Sequence, residues 1–172
     1  MLQLILGGCR SGKSRLAQRL AQNQDLPVVF VATCRTQGLD EEMQERVRKH
    51  RDDRPADWET VENEFNFETI AHRYPGHCIL VDCLTLWISH WMGEGTAEKS
   101  ILNKLDALAA SKSEYPIHWI VVSNETGMGL VPETPEARAY RDTLGRANQH
   151  VAAMADTVDF CVAGIPLQIK PQ

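Results

Sequence analysis

The sequence predicts an α/β fold: a mainly parallel sheet with helices on both faces. Three observations point there. Short, continuous apolar runs recur at residues 2–6, 27–32, 78–81 and 117–122. Runs without polar alternation are the mark of strands buried on both faces, as in parallel sheets. Helical stretches with an apolar stripe lie between those runs, the strand–helix alternation of α/β folds. The 172 residues suit a single domain spanning 1–172, large enough to bury roughly two-thirds of its unfolded surface and to fold without metal or disulfide.

Taken in order, residues 2–6 form a strand, followed by a glycine-rich turn. Residues 13–22 form a helix with Leu16, Ala17, Leu20 and Ala21 on one face. Residues 27–32 are a second strand. Residues 40–51 read as a helix, acidic at its start and basic at its end, which suits the macrodipole. Residues 52–57, around Arg54-Pro55, read as a loop. A short strand at 60–62 and a short helix at 66–73 follow. The run 78–81 ends at Asp82, and Gly93 and Gly95 separate helices at 84–92 and 97–110. After the strand at 117–122, a loop starts at Ser123. A long helix covers 135–154, and 158–162 and 167–169 read as terminal strands.

Charge and cysteine usage exclude several classes. A net charge of −5 and a pI of about 5.7 argue against a broad nucleic-acid surface. Cys9, Cys34, Cys78, Cys83 and Cys161 are scattered with no C-x-x-C pair, so a zinc knuckle or redox motif is not expected. Cys78 and Cys161 lie in apolar runs and read as buried thiols. Free thiols suit a reducing cytosol. The N-terminus shows no basic segment and cleavage site of a secretory signal, and no apolar run reaches the ~18 residues of a membrane span. A cytoplasmic protein is expected.

The strongest chemical signal is Gly7-Gly8-Cys9-Arg10-Ser11-Gly12-Lys13-Ser14. It matches the P-loop pattern G-x-x-x-x-G-K-[ST] and sits where its mechanism requires, after a strand and opening a helix. The glycines let backbone N–H groups curl around phosphate oxygens, and the helix N-terminus adds positive partial charge. Lys13 is placed to reach the β and γ phosphates, and Ser14 to ligate Mg²⁺. Asp82, at the tip of a buried strand, fits the Walker B acid that positions Mg²⁺ in such sites.

Two further segments carry chemistry with a competing bland reading. Arg46-Val47-Arg48-Lys49-His50-Arg51 is either a solvated basic helix end or a triphosphate-facing cluster. In the second case nearby cations keep the His50 imidazole neutral and nucleophilic. Ser123-Asn124-Glu125-Thr126-Gly127-Met128-Gly129 follows a parallel strand, so it should lie near nucleotide or acceptor, because ligands bind outside the carboxyl ends of such strands. Arg138, Arg141 and Arg146 on the next helix fit phosphate contacts and solvation equally.

Together these segments resemble one family. The loop at residues 7–14 looks like its G-G-x-R-S-G-K-S. Val31-Ala32-Thr33, Asp40-Glu41-Glu42-Met43 and Arg46 look like its second block. His50-Arg51-Asp52-Asp53-Arg54-Pro55 with Trp58 and Glu62 resembles its H-x-x-x-R-P…W…E block, and Asn124 to Glu133 its N-E-x-G-x-G-x-V-P block. Tyr140-Arg141-Asp142, Gly145-Arg146 and Asn148-Gln149 continue the match. The family is the bifunctional adenosylcobinamide kinase/adenosylcobinamide-phosphate guanylyltransferase of cobalamin biosynthesis.

The resemblance implies two steps. A nucleoside triphosphate, ATP or GTP, phosphorylates the aminopropanol hydroxyl of adenosylcobinamide. GTP then transfers GMP to a histidine, here His50, and on to the phosphorylated corrinoid, giving adenosylcobinamide-GDP. It also implies a homotrimer, and nucleotide contacts at Gly7, Gly8, Cys9, Arg10, Ser11, Gly12, Lys13, Ser14, Ala32, Thr33, Cys34, Arg51, Asp52, Asp53, Arg54, Glu62 and Asp82. The sequence departs from the pattern at Cys9, where a small residue is common, and at Asp82, where the longer Glu can stand. One rival is a small-molecule P-loop kinase without a histidine intermediate. The other is a GTPase-type switch, but Asp82-Cys83-Leu84-Thr85 lacks the glycine of D-x-x-G, and Ser123-Asn124-Glu125-Thr126 lacks the lysine and aspartate of N-K-x-D.

Overall fold

Strand β1 (Leu2–Gly7) is buried at every position, and the other elements are arranged around it. The computed structural model describes residues 1–35, 40–52 and 54–171, with Arg46 described by its backbone only. The chain runs on through α1 (Lys13–Gln22), β2 (Val28–Ala32), α2 (Glu41–Asp52), β3 (Glu59–Glu62), α3 (Phe67–Arg73), β4 (Cys78–Asp82) and α4 (Leu84–Gly93). It continues with α5 (Glu98–Glu114), β5 (His118–Val122), α6 (Pro135–Met154), β6 (Thr157–Val162) and β7 (Ile165–Lys170). The strands form one sheet in the order β3-β2-β4-β5-β1-β6-β7. Strands β1 to β6 are parallel. Only β7 is antiparallel, returning beside β6 through Ala163 and Gly164, which have φ of 53° and 83°. Two successive positive φ values match the twist of a tight hairpin.

Alternate residues of the strands feed two cores. On one face Ile5, Phe30, Leu80, Ile120 and Val122 meet Leu16, Ala17 and Ala21 of α1. On the other, Leu4, Val31, Val81, Val121 and Val158 meet α3, α4, α5 and α6 through Phe67, Trp87, Leu105 and Val151. The expected helices on both faces are therefore present. Trp87 and Trp119 are fully buried, and each indole N–H is satisfied, by the Phe65 carbonyl (2.8 Å) and Ser111 Oγ (3.0 Å) respectively. Helix α2 belongs to neither core: none of its described side chains is buried.

Most element boundaries agree with the sequence reading to within a residue or two. Helix α2 begins at Glu41, with the Asp40 carboxylate accepting the Met43 N–H (2.8 Å), and extends through Asp52, whose carboxylate accepts from Arg48 four residues back (2.9 Å). The largest differences are α5, expected to stop at residue 110, and β7, which begins at Ile165 rather than 167. The polar run Ser111-Lys112-Ser113-Glu114 gave no apolar stripe to read. It stays helical because Ser111 holds the Trp119 indole and Lys112 donates to Asp156 (2.8 Å) and to the Met154 carbonyl. No described helix is long and apolar enough to cross a membrane.

One titratable group is folded into the base of the sheet. His118 is only 5% exposed, its Nε2 has no partner, and its pKa is pushed down to about 4 by burial, aided by the N-terminal ammonium and opposed by Asp156. A folded pKa below the unfolded value of ~6.5 means that the unfolded chain binds the proton first. Stability should therefore be unaffected by this group above pH ~6.5 and fall by up to about 3 kcal/mol as pH drops toward 4. Thermal melts between pH 7 and 4 should show that fall, and His118→Gln, which does not titrate, should flatten it. An unchanged slope in the variant would place the acid sensitivity elsewhere.

Candidate active site

The carboxyl ends of five strands meet at one edge of the sheet. Ile5 is in register with Val122, Val122 with Asp82, Asp82 with Ala32, and Ala32 with Glu62. Helix α1 starts at the same edge. An open α/β sheet binds ligands there because strand ends and helix N-termini leave backbone groups unpaired.

The P-loop has the shape that phosphate binding requires. Gly7, Arg10 and Gly12 take φ values of 152°, 55° and 94°. Gly12 caps α1 without any side-chain hydrogen bond, and the first turn of the helix has no acidic residue. Its N-terminal N–H groups and partial positive charge are thus left for an anion. Lys13 is 8% exposed and lies back over the loop, donating to the Gly8 carbonyl at 2.6 Å. Burial pushes its pKa down, opposed by Cys83 and Asp82. Among the described residues no carboxylate lies within ion-pair distance of it. Gly8, Cys9 and Arg10 are exposed at the rim, Ser11 is buried, and Ser14 is half-buried on the first turn of α1.

Next to the loop stand the tips of β2 and β4. Thr33 Oγ1 donates to the Cys83 carbonyl (2.7 Å) and accepts the Cys83 N–H (2.8 Å), pinning the two strand ends together. Cys34 is half-buried, and burial raises its thiol pKa. The Asp82 carboxylate has no hydrogen bond or ion pair among the described residues. Asp82 ends β4, and Ser14 lies on the first turn of α1; both are oxygen donors of the kind that Mg²⁺ takes in nucleotide sites. The described residues contain no group of three or more His, Cys, Asp or Glu able to cage a metal by themselves. Arg54 lies flat on Phe30, with its guanidinium carbon 3.5 Å from the ring centre. Its pKa is lowered by burial, with Asp82 opposing, and its Nε is buried without a partner. A desolvated guanidinium with an orphan donor is a ready phosphate ligand.

The α2 segment reaches this edge by its last turn. Arg51 donates to Glu62 at the tip of β3 (2.5 Å), which draws the last turn of the helix to the strand tips; His50, the residue before it, is exposed. Much of the surrounding positive charge is paired within α2: Arg48 with Glu45 (2.7 Å) and Asp52 (2.9 Å), and Lys49 with Glu45 (3.4 Å). Asp52, one of the expected nucleotide contacts, is thus engaged by Arg48. Asp53 lies outside the described residues.

The loop after β5 is built into the same edge. Ser123, fully buried, donates to Asn148 Oδ1 (2.7 Å), and Asn148 Nδ2 donates to the Asn124 carbonyl (3.0 Å). The Asn124 N–H donates to Thr85 Oγ1 (3.0 Å), and Tyr140 donates to the Thr85 carbonyl. The Glu125 N–H donates to the Gly7 carbonyl at 3.0 Å, joining this loop to the P-loop. Sequence reasoning placed the loop near the nucleotide but gave no role to Thr85, Asn148 or Tyr140, since nothing local marks a side chain that braces a distant loop. The three arginines of α6 are engaged without phosphate. Arg138 and Arg141 donate to carbonyls of residues 130, 132 and 133, and Arg146 pairs with Glu98 (2.6 Å). Cavities of about 530 Å³, beside the amino end of β2, and 880 Å³, between α3 and α5, lie away from this edge.

The chain is 41% identical over 172 residues to the bifunctional adenosylcobalamin biosynthesis protein CobP of Pseudomonas aeruginosa, covering 99% of this chain and 98% of that one. It is 39% identical over 185 residues to the CobU protein of the same description from Salmonella typhimurium, covering 99% and 100%. Among solved structures, an ATPase from the type III secretion system of pathogenic bacteria superposes with a TM-score of 0.59 at 13% identity. That alignment covers 92% of this chain and 50% of that one, so it speaks to the P-loop ATPase fold alone. Residues 3–169 match the family described as cobinamide kinase / cobinamide phosphate guanyltransferase, and the chain belongs to that family.

Proposed function

We propose that the chain, acting as one catalytic domain, carries out both reactions at the carboxyl edge of its sheet. The observation that carries this reading is the convergence there of the glycine-rich loop opening α1, a buried Lys13, an orphan Arg54 donor and an Asp82 with no ion pair among the described residues. In the first reaction the P-loop backbone and Lys13 hold the β and γ phosphates of ATP or GTP. The aminopropanol hydroxyl of adenosylcobinamide takes the γ-phosphoryl group directly. Ser14 and Asp82 would hold Mg²⁺, which neutralises charge on the β and γ oxygens. In the second, the His50 imidazole attacks the α-phosphorus of GTP and pyrophosphate leaves. The corrinoid phosphate then attacks the same phosphorus, releasing His50 and forming adenosylcobinamide-GDP. The Arg51–Glu62 pair supports this by drawing the last turn of α2 to the strand tips.

Two further features belong to the same reading. The edge strand β7 exposes Ile165, Leu167 and Ile169. An uncovered apolar edge favours subunit contact, in keeping with the homotrimer that the family resemblance suggests. The free thiols suit a cytoplasmic enzyme.

Three measurements test the reading. Lys13→Ala should lower kinase turnover by ~10²–10³, the loss typical of one preorganised electrostatic contact; turnover near wild type would remove the P-loop from the reaction. His50→Ala should abolish an acid-labile, base-stable protein adduct formed from α-phosphate-labelled GTP, together with GMP transfer, while much of the kinase activity remains. An adduct that persists in the variant would point to another histidine, and absence of any adduct in the wild-type enzyme during turnover would refute the covalent route. Guanine presents two adjacent donors that one carboxylate can accept, and adenine does not. Glu62→Gln should therefore lose guanylylation more than ATP-driven phosphorylation, and equal losses would show that Glu62 does not read the base.

A further inference from the structure

Strand order places β5 between β1, which leads into the P-loop, and β4, which ends at Asp82. What leaves the tip of β5 therefore lies between the phosphate cradle and the metal-positioning carboxylate. Three residues beyond that tip is Glu125. Its backbone N–H is bonded to the Gly7 carbonyl at 3.0 Å, so the residue is fixed against the first glycine of the P-loop. Its Oε1 accepts the Gly127 N–H at 2.6 Å. A β-carbon on Gly127 would lie 2.9 Å from that same oxygen, so the glycine leaves the space that the carboxylate occupies. The mount is rigid, because Thr85 and Asn148 hold Asn124 from both sides.

The carboxylates near this edge differ in what they are already doing. Glu62 is paired with Arg51, Asp52 with Arg48, and Asp159 accepts from Gln3. Asp82 makes no ion pair among the described residues, but it is close enough to Lys13 and Arg54 to oppose, in both, the lowering of pKa by burial. Glu125 is half-exposed and has no cationic partner among the described residues. A carboxylate held in place by one oxygen, with the other free, is suited to accept a proton from a hydroxyl.

We propose that Glu125 is the general base of the kinase reaction. This rests on the placement of the nucleotide in the P-loop argued above. The acceptor hydroxyl oxygen forms a bond to the γ-phosphorus. The bond from that phosphorus to the bridging oxygen breaks, and its electron pair leaves on the nucleoside diphosphate. The hydroxyl proton passes to Glu125 and from there to water. The second reaction has no such need. Its acceptor is a phosphate whose second ionisation lies near pH 6, so the attacking oxygen carries no proton at neutral pH. One residue thus separates two reactions that use the same edge of the sheet.

The test uses the full-length chain with Glu125→Gln, Glu125→Asp and Lys13→Ala. Phosphorylation of adenosylcobinamide by ATP and GMP transfer from GTP to preformed adenosylcobinamide phosphate are measured separately. Gln keeps an oxygen for the Gly127 N–H but cannot take a proton, so Glu125→Gln should lower kinase kcat by ~10²–10⁴, the usual share of general acid–base catalysis. KM for ATP and the rate of GMP transfer should stay at wild-type values, and Glu125→Asp should fall between Gln and wild type. Equal loss of both reactions in Glu125→Gln would make the residue a loop brace and overturn the proposal. So would unchanged kinase kcat in Glu125→Gln alongside a large loss in Lys13→Ala, an outcome that leaves the P-loop reading standing. Full kinase activity in Lys13→Ala would overturn the P-loop reading itself, and the role of Glu125 with it.

Discussion

A β-carbon on Gly7 would sit 2.5 Å from the Cys161 carbonyl oxygen and 2.6 Å from Ser11 Oγ, closer than side-chain carbons pack. One on Gly12 would sit 3.1 Å from Gly164 Cα. The P-loop is therefore pressed against the β6–β7 hairpin, and the Gly164 N–H donates to the Ser11 carbonyl at 3.0 Å. On its other side the Glu125 N–H holds the Gly7 carbonyl. The loop is thus fixed from both neighbouring strands, β5 and β6, and its own backbone is left to face phosphate. Catalysis by positioned dipoles requires this, because donors that reorganise during reaction lose much of their effect.

The same packing explains the electrostatics of the edge. The chain carries a net charge of −5, yet Lys13 and Arg54 are withdrawn from water beside Asp82, and burial lowers the pKa of both. Lys13 satisfies itself on a carbonyl, and Arg54 rests on an aromatic face with one donor unused. Among the described residues neither has a carboxylate in ion-pair contact. Desolvated cations without counter-ions cost stability in the free protein and favour whichever anion fits the space. The acidic residues elsewhere on the surface leave that preference local.

How much of this could be read from the sequence depended on range. Strand β1, the P-loop and α1 are local: an apolar run, glycines at fixed spacing and a helical stripe at Leu16, Ala17 and Leu20 specify them without help from the rest of the chain. Asp82 was legible because it ends an apolar strand. The last turn of α5 was not, because its support comes from Trp119 and Asp156, later in the chain. For Arg138 and Arg141 phosphate contact and solvation could not be told apart, because composition cannot show that carbonyls of the 130–133 loop already occupy them. The position of Glu125 required strand order. The sequence shows a loop after β5, and only the sheet shows β5 lying between β1 and β4.

Helix α2 stands apart from all of this. Its charge pattern made it easy to find, but it buries none of its described side chains and is joined to β3 through Arg51 and Glu62, 61% and 31% exposed. A pair this exposed contributes at most about 1 kcal/mol. The P-loop, Asp82 and Glu125 lie at or just beyond the ends of buried strands, while His50 stands on a helix that buries none of its described side chains. That difference fits the two chemistries. Direct phosphoryl transfer needs its donors and base fixed relative to one another throughout. A histidine that first receives a nucleotidyl group and then yields it to a second acceptor must serve two attacking geometries at one phosphorus. A helix held by a weak ion pair accommodates both at small energetic cost, because local stability limits how far an element can shift.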